Sequence, residues 1–126
     1  MPDLGPIHHV KIPVSDVRAS SKWYLRVLGL DVAIEFIEDG ELRGVALRAP
    51  DGTSVALRYD PERAAALSGF DLVALGVPTR EGVQAWADHL AATGQQHGGI
   101  VTGHNGGTVL VGLHDPDGIE IRLYAD

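Results

Sequence analysis

The chain has 126 residues, 44% of them apolar and 21% charged, with a formal net charge of −7 and no cysteine. That balance belongs to a globular protein with one core, and the lack of cysteine excludes disulfides, thiolate chemistry and Cys-based zinc sites. No Lys/Arg cluster or basic–aromatic interleaving points to nucleic acid, and no apolar run approaches a membrane span or a leader peptide. A cytoplasmic protein without nucleic-acid or membrane partners is therefore expected.

Val10, Ile12 and Val14 alternate with Lys11 and Pro13, the period of a half-buried strand. Ser15 or Asp16 can cap the helix that follows, whose apolar face is Ser20, Trp23, Tyr24, Val27 and Leu28 and which stops at Gly29. Asp31 to Glu38 and Glu41 to Ala49 read as two strands joined by a tight turn at Glu38-Asp39-Gly40. Pro50-Asp51-Gly52 then turns the chain into a strand over Thr53–Tyr59. Residues 61–69 read as a short helical linker starting at Pro61.

The second half repeats the order of the first. At an offset of 63 residues Val73, Leu75 and Val77 replace Val10, Ile12 and Val14. Thr79 takes the cap, and the helix face becomes Val83, Trp86, Ala87, Leu90 and Ala91, with Trp86 matching Trp23 as a core residue. At an offset of 66, Asp117-Gly118 with Ile121 and Leu123 repeats Asp51-Gly52 with Val55 and Leu57. The glycine-rich stretch from Gly98 to Gly107 predicts two strands around a mobile hairpin at Gly103–Gly107. The fold class is thus α+β, two tandem βαβββ modules at 1–60 and 70–126 within one domain, with curled, mostly antiparallel sheets, helices on the convex side and a cleft on the other.

Strand parity selects the open face. If Val10, Ile12 and Val14 pack under the first helix, His9, Lys11 and Pro13 project the other way, with Ser54, Ala56 and Arg58 from one later strand and Glu120, Arg122 and Tyr124 from the last. Charges on such a face need partners or solvent, which is the mark of a cleft. His8 is expected to point away from His9, and His89, His97, His104 and His114 read as surface residues. No nucleotide-binding loop or serine-nucleophile elbow is present.

The repeated unit, with H-V-x-x-P-V-S-D at its start, W-Y-x-x-V-L-G-L on the first helix and D-P-D-G-x-x-I near the end, resembles the vicinal oxygen chelate superfamily of glyoxalases, bleomycin resistance proteins and extradiol dioxygenases. The resemblance implies four metal-ligand positions, which here hold His9, Ala56, Leu72 and Arg122. Three of these cannot bind a metal, and Arg122 would set a fixed positive charge where the cation should sit. No metal and no cofactor are therefore expected.

The leading expectation is a small-molecule binding protein, its ligand anionic or antibiotic-like, held by Lys11, Arg58, Arg122 and Tyr124. Two alternatives stay open: a metal-free enzyme in which His9 or Glu120 moves a proton, and a metalloenzyme rebuilt on His9 and Glu120. A homodimer is expected, because an open four-stranded sheet leaves edges for a partner module to cover.

Overall fold

Residues singled out in the sequence set both ends of the first helix. The Asp16 side chain accepts the Ala19 N–H at 3.0 Å, and Gly29, at φ 69°, turns its own N–H back onto the last carbonyls of the helix. The computed structural model describes residues 1–126. In chain order they form β1 (Val10–Val14), α1 (Val17–Leu28), β2 (Asp31–Glu38), β3 (Glu41–Arg48), β4 (Ser54–Tyr59), α2 (Pro61–Ala66), β5 (Asp71–Gly76), α3 (Arg80–Ala92), β6 (Gly99–Thr102), β7 (Thr108–His114) and β8 (Glu120–Ala125). Two compact units result, Met1–Ala66 and Leu67–Asp126.

In the first unit the strand order is β1-β4-β3-β2, with β1 and β4 parallel and the other pairs antiparallel. The β2–β3 turn places Asp39 at φ 52° and Gly40 at φ 77°, the two positive values that an Asp-Gly hairpin turn requires. Ile12, Val14, Val45, Leu47, Val55 and Leu57 are buried together with Trp23, Tyr24, Val27 and Leu28 of α1. The helix lies mainly against β3 and β4, whereas β1 packs with α2. The expectation that α1 covers β1 is corrected by strand order: β1 is an edge strand, and a helix centred on the sheet crosses the middle pair. The segment expected to be a short helical linker starting at Pro61 forms α2, whose Ala64 is fully buried.

The second unit repeats the topology as β5-β8-β7-β6. Thr79 caps α3 by accepting the Gly82 N–H, and the helix packs on β6, β7 and β8, away from β5. Val73 and Leu75 consequently stay half-buried while Val77 is buried. Trp86 is also only half-buried, its ring edge-on to His89 at 5.3 Å, and Ala91 is exposed. The core of this unit is Val83, Leu90, Leu110, Leu113, Ile119, Ile121 and Leu123. Neither helix of the repeat, nor α2, is long and apolar enough to cross a membrane.

Ser20 stands out on the buried face of α1. Its hydroxyl is desolvated and has no hydrogen-bond partner. Ser20→Ala is expected to raise stability by about 1 kcal/mol, since alanine removes an unpaired buried hydroxyl and is the better helix former. A urea midpoint below that of the parent protein would contradict this.

Candidate functional site

The face of the first sheet opposite α1 is organised by its register. Lys11 stands beside Ala56, which stands beside Ala46 and then Ile34; in the next row Pro13 is followed by Arg58, Gly44 and Phe36. Arg48 and Ser54 form a third row, with His9 just before β1. Within these three rows each position on the two central strands is either small or an arginine that can swing outward. A hollow of about 290 Å³ results, floored by Gly44, Ala46, Ser54 and Ala56, walled on one side by Ile34 and Phe36 and on the other by His8, His9 and Lys11. Gly44 is required for it: a Cβ there would lie 2.8 Å from the Leu57 carbonyl oxygen.

The charges around the hollow are not equivalent. Arg58 makes a two-pronged ion pair with Glu38, at 2.6 and 2.9 Å, which holds the pKa of the Glu38 carboxyl below the ordinary range and raises that of the arginine. Lys11 and Arg48 have no carboxylate within ion-pair distance. His8 and His9 both line the hollow, their Nδ1 atoms 2.8 Å apart and their rings edge to face, so His8 does not point away as strand parity suggests. Both precede the first residue of β1, where alternation does not yet apply.

The corresponding face of the second unit is built differently. β7 slips register between Leu110 and Leu113, and Gly112 sits there at φ 71° with the backbone of Gly98 so close that an added Cβ would meet its nitrogen at 2.7 Å. The Gly112 N–H leaves the strand ladder and donates to the Glu120 carboxylate at 3.0 Å, while Arg122 Nε donates to the same oxygen at 2.7 Å. Burial opposes the charge on Glu120, but Gly112, Arg122 and the nearby His114 outweigh it and hold the carboxyl below its ordinary range. Arg122 also meets Asp71 at 3.3 Å. Tyr124 donates to the Asn105 side chain, and Gly103 and Gly107 lie against its ring, so the hairpin touches the last strand.

Residues 6–123 match the sequence profile of the glyoxalase/bleomycin resistance protein/dioxygenase superfamily. The chain belongs to that superfamily. Solved structures share the fold. An integron cassette protein from the mobile metagenome of the Halifax Harbour sewage outfall aligns over 98% of this chain and 100% of its own, at 17% identity and a TM-score of 0.79. Lactoylglutathione lyase from Agrobacterium tumefaciens aligns over 98% and 95%, at 15% identity and a TM-score of 0.76. The fosfomycin resistance protein of Listeria monocytogenes aligns over 98% and 95%, at 12% identity and a TM-score of 0.74. Comparison with curated protein sequences gives no match.

The resemblance implies a metal site on the four positions occupied here by His9, Ala56, Leu72 and Arg122. One imidazole, two hydrocarbon side chains and a guanidinium already engaged with Glu120 and Asp71 do not make a donor set for a divalent ion. Nor are three His, Asp or Glu side chains grouped elsewhere in a way that could hold one. The residues present do not fit the superfamily metal.

Of the six candidate site residues, His9, Lys11 and Arg58 gather at the hollow of the first unit, and Glu120, Arg122 and Tyr124 share a face in the second. Arg48, Ile34 and Phe36 were missed. Parity outward from Asp51-Gly52 places Arg48 beside Ser54, whereas Ile34 and Phe36 lie on a strand whose two register shifts hide its facing.

Glu120 supplies a pH test. The pKa of its carboxyl in the folded protein lies below the ordinary value near 4.5, so its stabilisation is present above that pH and lost as the pH falls through the lowered value. Glu120→Gln is expected to cost about 1–2 kcal/mol at neutral pH, with the difference from the parent shrinking in strong acid. Equal costs at both pH values, by urea unfolding, would show that the charge contributes nothing.

Proposed function

We propose that the protein binds a small molecule in the hollow of the first sheet, without the catalytic metal of its metal-dependent relatives. The observation that carries this reading is the floor of Gly44, Ala46, Ser54 and Ala56, which leaves a space at the lower end of ligand-pocket volumes, lined by an apolar wall and a few polar groups. Lys11 and His9 stand at its edge ready for contact, and Arg58 is available only by exchange with Glu38. Arg122 and Tyr124 enter this reading as residues that shape the second sheet. A metal-free enzyme is favoured by one observation: the Nδ1 atoms of His8 and His9 lie 2.8 Å apart at the hollow, which sets two imidazoles, groups able to donate or accept a proton, beside the bound ligand. Glu120 is less suited to that role, since its carboxylate is committed to Gly112 and Arg122.

Purified protein is expected to hold no stoichiometric zinc, nickel, manganese or iron by elemental analysis, and compounds found by thermal-shift screening to bind equally with and without EDTA. Ala56→Phe, which fills the floor, is expected to abolish those shifts while the far-UV spectrum is kept. A tightly held metal, or binding that EDTA removes, would overturn the reading.

We also propose a homodimer. β2 is exposed along its whole length, with Val32, Ile34, Phe36 and Ile37 among the uncovered residues, and β6 exposes Ile100 and Val101. A patch of that kind is a site for association. Light scattering is expected to give twice the 13.4 kDa of one chain, and a mass of one chain at micromolar concentration would refute it.

A further inference from the structure

The two sheets treat their cations in opposite ways. In the second unit the arginine of the open face is consumed by two carboxylates, Glu120 and Asp71. In the first, Glu38 takes Arg58 alone, and no Asp or Glu lines the hollow, although the chain as a whole carries a formal charge of −7. Asp31 stands opposite Arg48 in the β2–β3 register but makes no ion pair with it. Two long cationic side chains thus stand unpaired around one apolar-walled space.

Their positions let them act together. Lys11 is on β1 and Arg48 on β3, with β4 between them and a stagger of two residues. Two strand spacings and that stagger separate their Cα atoms by about 12 Å, a gap that two long side chains reaching inward from either side can close above Ser54. A group bound there would receive an ammonium, a guanidinium fork and the Ser54 hydroxyl, while whatever it carries extends over Ala46 toward Ile34 and Phe36. Arg58 is excluded from this arrangement, because its fork already grips both oxygens of Glu38.

We propose that the ligand of the hollow is a small amphipathic oxyacid whose carboxylate or phosphonate is held by Lys11 and Arg48, with its apolar part on Ile34 and Phe36. This rests on the small-molecule reading above and names the ligand class and the residues that select it. Charge-assisted bonds to an oxyanion are the strong ones, and the guanidinium fork matches two oxygens at once. Arg48 becomes the specificity-determining residue, and Glu38 the group that keeps a third cation out of the site.

The test uses the whole chain, with benzoate, phenylphosphonate and neutral benzyl alcohol as probes at millimolar concentration, followed by amide chemical shifts. Benzoate or phenylphosphonate is expected to move the Ala46, Ser54 and Ala56 resonances, and comparing these two identifies the preferred acid. Benzyl alcohol should bind at least about tenfold more weakly, and Lys11→Met and Arg48→Met should each weaken the acid about tenfold. Arg122→Met should leave its affinity unchanged. Equal binding of benzyl alcohol and both acids overturns the oxyacid inference and leaves the small-molecule reading standing. Shifts in the hollow that survive both Lys11→Met and Arg48→Met overturn the residue assignment, and no shift from any probe overturns both readings.

Discussion

Each sheet of this protein packs one face against helix, α1 with α2 in the first unit and α3 in the second, and everything else follows from that constraint. Val45, Leu47, Val55 and Leu57 give up water beneath Trp23, Tyr24, Val27 and Leu28, and residues of opposite parity are left facing outward. Each fully buried aliphatic side chain contributes about 1.5–3 kcal/mol, so the outward face is free to depart from hydrophobic patterning so long as the inward one is kept. Here the freedom is used twice, with different results. In the first unit the central outward positions are small and leave a hollow; in the second they hold Glu120, Arg122 and Tyr124, which fill the surface with contacts of their own.

The second unit shows how a charge comes to be structural. An extra residue in β7 frees the Gly112 N–H from the ladder, and a freed backbone donor at a part-buried position needs an acceptor. Glu120 provides it, and the desolvation of that carboxylate then calls for Arg122 in turn. Arg122 is thus the counter-ion of a local packing solution. The guanidinium is explained by its neighbours without any ligand.

The sequence was most legible where a single residue type has one physical use. Asp16 and Thr79 as helix caps, Gly29 at positive φ and the Asp39-Gly40 turn all follow from backbone geometry that few other residues satisfy. The duplication made the topology readable, because two weak patterns in the same order support each other. The site was less legible for two reasons. Parity carries facing along a strand only while the register is unbroken, and β2 slips twice, so Ile34 and Phe36 could not be assigned to the hollow. Ion pairs between residues far apart in sequence leave no local signature: nothing near Arg58 announces Glu38, and Arg48 differs from it only in lacking such a partner. Trp86 shows the limit of the repeat argument itself, since α3 leans away from β5 and leaves this tryptophan half covered where Trp23 is buried.

The irregular register of β2 bears on how the molecule avoids its own kind of strand pairing. An uncovered edge strand rich in Val, Ile and Phe is ordinarily a template on which further chains add by backbone hydrogen bonds. Two slips in one eight-residue strand break the even spacing of outward N–H and C=O groups that such growth needs, and Asp31, Glu35 and Glu38 add repulsion between stacked copies. β1, at the opposite edge, has Pro13 and so lacks one donor outright. The apolar side chains of β2 can accordingly stay open to a ligand or a partner face while its backbone edge remains a poor seed for fibrils.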